Sequence, residues 1–201
     1  MRRTLLVVAA LVASAAPVSA QIGWESPALV SPVAPAGVSL FLLNSAGGDL
    51  GGLATYRHHA GPVGLGYRLA IADDGGPDSE LAFAGGIDVS GFLSRGVEGA
   101  EVDLVWWSGG GLGIADETIV TVPVGLILGW SGSGGDVILS PYGGGHVNLH
   151  ISTADGDSID LVGVLDIGLD LVLPSGWLVR FGASFAENER DALALGVKLP
   201  T

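Results

Sequence analysis

From Ser158 to Leu173 the sequence alternates without a break. Ile159, Leu161, Gly163, Leu165, Ile167, Leu169, Leu171 and Leu173 hold the odd positions, and Ser158, Asp160, Asp166 and Asp170 fall on even ones. Successive side chains of a strand point to opposite faces, so one face of this segment is apolar and the other carries three carboxylates. A half-buried strand of a soluble sheet runs about five or six residues, which this segment exceeds several-fold. A strand tilted across a bilayer needs about 9–11 residues or more. The segment therefore predicts a transmembrane β-barrel with apolar residues facing lipid and polar residues facing a lumen.

The start of the chain agrees with export. Met1, Arg2 and Arg3 precede an apolar run from Leu5 to Val12, and Val18-Ser19-Ala20 before Gln21 has the small residues of a leader cleavage site. Residues 1–20 read as a secretory signal peptide, the run being too short for a membrane helix. Arg2-Arg3 is an ordinary positive leader end, since a barrel bound for lipid crosses the inner membrane unfolded. The chain has no cysteine, which excludes disulfides, thiolate metal sites and a lipid-modified cysteine. Mean hydropathy is +0.55, yet no run of 18 apolar residues follows the leader, so apolarity is spread by alternation rather than in blocks. The formal charge is −13, and cleavage removes two arginines more. Nucleic acid is excluded as a partner, because phosphate binding rests on Lys and Arg.

Residues 21–36, with Pro27, Pro32 and Pro35, read as an extended N-terminal arm before the barrel. Residues 37–199 then form the barrel domain, an all-β, up-and-down antiparallel meander. Ten alternating segments fall at 37–45, 50–58, 62–73, 80–93, 100–114, 117–130, 136–152, 158–173, 176–186 and 191–199, divided by Gly, Asp, Ser and Pro clusters. The first two are the weakest, which leaves eight strands as the alternative count. Connections sort by parity. One set carries Asp49, Asp73, Asp74, Asp78, Glu80, Asp116, Glu117, Asp155, Asp157, Glu187, Glu189 and Asp191 against Arg190, while the other set is nearly neutral. Trp130 and Trp177 stand at outward positions beside the neutral rim, where an interfacial aromatic girdle belongs. The acidic rim is assigned to the cell exterior and the neutral rim to the periplasm.

With its leader, alternation, girdle and short turns, the chain from Gly37 to Leu199 resembles the small outer-membrane β-barrel proteins of diderm bacteria. The resemblance implies residence in the outer membrane, contact with its lipid and insertion by its assembly machinery. One departure concerns the end, where Leu199-Pro200-Thr201 stands in place of the aromatic residue that commonly closes the last strand in such proteins. A structural or narrow, porin-like role in the cell envelope follows, without catalytic residues, cofactor or metal.

Inward charges by this phase are Arg57, Arg68, Asp88, Glu101, Asp103, Asp160, Asp166, Asp170, Arg180 and Lys198. Barrels of this size are largely filled by side chains, so these groups predict a lumen ion-pair network. Its sharpest element pairs Arg180 with the carboxylates of the preceding strand. His146 and His150 share a lumen face and are the alternative catalytic residues, as bases that activate a hydroxyl in a lipid-modifying barrel enzyme. No G-x-S-x-G signature accompanies them. Dispersed carboxylates on the acidic rim suit weak divalent-cation exchange; Asp155-Gly156-Asp157 lacks the spacing of a calcium loop. Gly109-Gly110-Gly111 and Gly143-Gly144-Gly145 open no helix and bind no phosphate; they predict bends or bulges. An exported soluble β-sandwich is the remaining alternative, and would require the sets Val120 to Trp130 and Ile159 to Leu173 to meet in one core.

Overall fold

Eleven strands form in the computed structural model, which describes residues 26–32, 36–44, 50–60, 63–73, 81–96, 102–115, 118–152, 158–186 and 191–200. They are β1 Gly37–Asn44, β2 Leu50–Ala60, β3 Val63–Asp73, β4 Leu81–Ser94, β5 Val102–Ile114, β6 Thr118–Trp130, β7 Gly132–Gly134, β8 Val137–Ser152, β9 Ser158–Val172, β10 Leu178–Ala186 and β11 Ala192–Lys198. Each pairs antiparallel with the next, β7 being a three-residue extension of the turn between β6 and β8. β1 pairs with β11 and β6 with β8, so the sheet closes into a ten-strand up-and-down barrel. The strands fall within about two residues of the segments read from alternation, and both weak N-terminal segments are strands. Ten rather than eight is the count.

The register fixes the bore. From Ser39 one path of paired residues runs through Thr55, Arg68, Gly86, Gly111, Thr121 and His150 to Asp160. The other runs through Lys198 and Leu178 to Val172 on the same strand. That stagger of about twelve residues implies strands tilted about 40° and a backbone radius of about 10 Å. Once inward side chains are subtracted, the bore has the width of roughly one polypeptide chain.

Polarity is inverted relative to a water-soluble core. Leu42, Leu69, Phe83, Leu128, Ile159, Leu161, Phe181 and Leu195 all lie on the outside, Leu161 being 70% exposed, and exposed large apolar side chains are found on every long strand. Asp88, Asp166 and Asp170 face inward at 1% exposure or less. Among the described outward positions between strand ends there is no Asp, Glu, Lys or Arg. Trp130 and Trp177 are exposed on this outer face at the neutral-turn end, and Tyr56 stacks on Tyr67 across β2 and β3 with ring centroids 6.2 Å apart. No helix among the described residues is long and apolar enough to cross a membrane.

One feature adds to the sequence reading and one departs from it. The arm that precedes the barrel in the chain folds into it: Ser26 to Ser31 are buried and lie in the lumen, without helix or strand of their own. Leu29 packs with Phe41, Leu43, Leu53 and the alanines of β3, β4 and β11, whereas Ala28 and Val30 pack with Val105, Trp107, Ile127 and Tyr142. The glycine triplets, in turn, are not bulges. β8 keeps its register through Gly143 to Gly145, and a Cβ on Gly144 would strike the Leu126 carbonyl, so glycine here permits close backbone approach. In β5 the ladder skips Gly109 and Gly110, opposite Val122 and Pro123, because proline offers no N–H. Among the described pairings the register shift lies elsewhere, between Phe92 and Ser94.

Tyr142 lies over Gly168 of the neighbouring strand, where any Cβ would overlap its ring. This packing fills a gap left by a residue with no side chain. Gly168→Val is expected to destabilise the barrel by about 1–3 kcal/mol through overpacking. Gly163→Val, on the outer face with nothing within 4 Å of the new Cβ, should be nearly neutral. Urea unfolding midpoints of the two variants, with Gly168→Val/Tyr142→Ala as the relieving pair, check this.

Candidate functional site

Inward positions of β2, β3 and β4 bring three charges together at mid-lumen. Arg57 Nη2 donates to Asp88 Oδ1 at 2.7 Å, and Arg68 Nε donates to Asp88 Oδ2 at 3.3 Å. Arg57 Nη1 also donates to Ser90 Oγ at 3.1 Å. Gly66 lies opposite Asp88 in the ladder, and a Cβ there would collide with the carboxylate, so its absence makes room for the cluster. One carboxylate thus serves two guanidiniums, and Arg68 retains donors. It directs them at the arm, Nη1 to the Pro27 carbonyl at 3.4 Å and Nη2 to the Ala28 carbonyl. Its guanidinium carbon also lies 5.8 Å from the Trp107 ring centroid.

The opposite wall supplies the complementary set. Arg180 and Asp170 are paired residues of β10 and β9 and meet through two bonds, Nε to Oδ1 at 2.7 Å and Nη2 to Oδ2 at 2.6 Å. Arg180 Nη1 donates to the Leu29 carbonyl at 2.9 Å, and the Ser31 hydroxyl donates to Asp170. Four residues along β9, Asp166 Oδ1 accepts from the Ala28 N–H at 3.2 Å, and Oδ2 lies 2.6 Å from His146 Nδ1. Arg68 and Arg180 donate to the arm and Asp166 and Asp170 accept from it, with four of these bonds to its main chain and two to the Ser31 hydroxyl. Leu29 sits at φ 52, a left-handed conformation unfavourable for a residue with a branched side chain, and its carbonyl is the one that Arg180 holds.

Of the ten inward charges read from the sequence, Arg57, Arg68, Asp88, Asp170 and Arg180 form ion pairs, and Asp166 pairs with His146. Lys198 is buried on the same lumen side. Asp160 is exposed, beyond the network, opposite His150 in the ladder. Asp103 is half-buried and accepts from the Gly96 N–H at 3.1 Å near the neutral-turn end. Glu101, the leader and most of the acidic turns lie outside the described residues. His146 and His150 are both buried, at 4% exposure. The Trp107 ring meets His146 edge-on at 5.1 Å, and His150 Nδ1 lies 3.0 Å from Thr121 Oγ1. No described hydroxyl hydrogen-bonds to His146 Nε2, so the histidine has an orienting carboxylate but no aligned nucleophile. Among the described residues no group of three His, Cys, Asp or Glu could hold a metal.

The residues that sequence reasoning passed over are those of the arm itself, with Trp107 and Tyr142. The signal for the arm was Ala28-Leu29-Val30, a short apolar run set between Ser-Pro and Ser-Pro. Comparison with known proteins yields no matching family model and no matching curated protein.

Arg180 and Asp170 are 4% and 0% exposed, and removing one partner leaves the other charge buried. Arg180→Leu is expected to cost about 3–5 kcal/mol, and Arg180→Leu/Asp170→Leu to cost less than Arg180→Leu alone. Denaturant unfolding of the three proteins decides the order.

Proposed function

We propose that the chain is an outer-membrane β-barrel with an envelope role, whose narrow lumen is occluded by its own N-terminal arm. The observation that carries this reading is the inversion of polarity: a continuous apolar outer face surrounds a lumen of buried, paired charges. Water does not favour such an exterior. Monomeric soluble proteins rarely expose apolar patches above a few hundred Å², whereas hydrocarbon requires this exterior and closure of every strand edge. The exposed tryptophans at one end fit an interfacial belt. A signal peptide at residues 1–20 would deliver the chain to the assembly machinery. The soluble sandwich needed the outward sets of β6 and β9 to meet in one core; both are exposed on a closed barrel.

Occlusion sets the role. The bore that ten strands leave is taken by Pro27 to Ser31, which favours a sealed or very narrow path over an open porin. His146 is buried beside Trp107 with no hydroxyl on its Nε2, which supports the non-enzymatic reading at that residue, whereas His150 does meet a hydroxyl, that of Thr121. Divalent ions would then meet only the acidic turns, by exchange.

Three readouts test these statements. In SDS the unboiled protein should migrate faster than the boiled protein, as a closed detergent-resistant barrel does; equal mobility with recovery in the aqueous phase would remove the membrane reading. In planar bilayers the intact protein should show no steady conductance, and stable open channels would remove the occlusion. His146→Ala and His150→Ala should leave lipid A and phospholipid profiles unchanged.

A further inference from the structure

The way the lumen holds its arm resembles a receptor holding a ligand. Three guanidiniums, Arg57, Arg68 and Arg180, stand among three carboxylates, Asp88, Asp166 and Asp170, with His146 beside Asp166 and Lys198 buried on the same side, so the charges of the central cluster are largely taken up by one another before the arm is counted. A charged guest would gain little from these pairs. What remains free after the pairs have formed is a set of single donors and acceptors. These meet the arm in an order that matches a peptide main chain: Arg68 to the carbonyls of Pro27 and Ala28, Asp166 to the N–H of Ala28, and Arg180 to the carbonyl of Leu29. The Ser31 hydroxyl joins the same set, held by Asp170 and by Arg180 Nη2 at 3.3 Å.

The wall is also shaped for a backbone. A Cβ on Gly182 would lie 2.9 Å from Leu29 Cδ2 and 3.1 Å from Pro27 Cβ, and one on Gly129 would lie 3.0 Å from Pro32 Cδ. All three distances are shorter than ordinary carbon contacts. Small wall residues thus line the track of the arm, and two apolar patches receive Leu29 on one side and Ala28 with Val30 on the other.

We propose that the lumen is a peptide-binding site that reads main chain, with Ser26–Pro32 as its resident ligand, and that a separate neutral peptide segment of this kind can replace it. The proposal rests on the occluded-lumen reading and adds that the occluding segment is exchangeable. Hydrogen bonds to neutral carbonyls and one N–H, buried among apolar contacts, give affinity while leaving side-chain identity loosely specified. The partner class is a polypeptide segment, small in its side chains and without charge, rather than a sugar or an ion.

The test uses the full mature chain with a specific protease site inserted at Ala36, the exposed bend that precedes β1. After cleavage in detergent, unboiled mobility reports whether the barrel persists. A labelled peptide of residues 26–32 is then added, and exchange is followed by fluorescence anisotropy. A second peptide carries an ester oxygen in place of the Ala28 N–H, which removes the donor to Asp166 and weakens the Pro27 carbonyl without changing any side chain. The barrel should persist, the amide peptide should displace the excised arm, and the ester peptide should bind at least tenfold more weakly. Equal binding of amide and ester peptides, absence of exchange, or unfolding on cleavage would each overturn the proposal. Because the variation lies in the peptide, a misfolded barrel variant cannot mimic the result. The membrane reading is tested on the uncut chain and stands or falls separately.

Discussion

Arg180 donates to Asp170 through two parallel bonds, and both partners also reach the arm, Arg180 at the Leu29 carbonyl and the Ser31 hydroxyl, Asp170 at the Ser31 hydroxyl. Burial makes this geometry compulsory. An ion taken out of water loses several kcal/mol of solvation, and only close pairing with every remaining site satisfied offsets it. Asp170 has no exposure and its oxygens accept from a guanidinium and from the Ser31 hydroxyl. Without Ser31 and the Leu29 carbonyl, the pair would face an empty bore. The arm and the pair therefore require each other, and the same reasoning applies to Arg68 with Ala28 and to Asp166 with its N–H.

Barrel width explains why an arm is needed at all. With fewer strands, inward side chains meet across the axis and fill the interior; with many more, water does. Ten strands with this stagger leave a bore of about one chain's width, and here the inward residues of β3 and β4 near the acidic turns are small, Ala70, Ala72, Ala82 and Ala84. Side chains that small do not close the gap. Leu29 reaches into it, and its left-handed backbone is the local cost of placing both its side chain on the alanine patch and its carbonyl on Arg180.

Much of this was legible from alternation. The phase of β9, with Asp166 and Asp170 on one parity and a leucine-rich set on the other, fixed which residues face inward, and the same rule placed Arg57, Arg68, Asp88 and Arg180 in the lumen. Antiparallel pairing of consecutive strands then put Arg180 beside Asp170. Alternation gave less at the strand ends, where inward parity no longer means burial: Asp160 faces the right side yet is exposed. It gave nothing for Ser26 to Ser31, because that segment has no period to read. Its position is set by contacts between residues more than a hundred positions apart, such as Ala28 with Asp166 and Leu29 with Arg180. The glycine triplets misled for a related reason. Glycine signals close approach as readily as a bulge, and only the register shows that Gly144 accommodates the backbone of β6.

The division of labour inside the lumen has a consequence for how the protein tolerates change. Side chains of the arm contribute packing against two broad patches, where volume-conserving substitutions cost little. The wall contributes direction, since guanidinium and carboxylate groups fixed in pairs point single donors and acceptors at one line of main chain. Replacing Arg68 by lysine would keep the charge and lose the fork that spans Asp88 and two successive carbonyls. Replacing Leu29 by methionine would keep the carbonyl that Arg180 needs. Specificity for a chain in the bore thus resides in the barrel wall, and the arm meets it by being a neutral peptide of suitable girth.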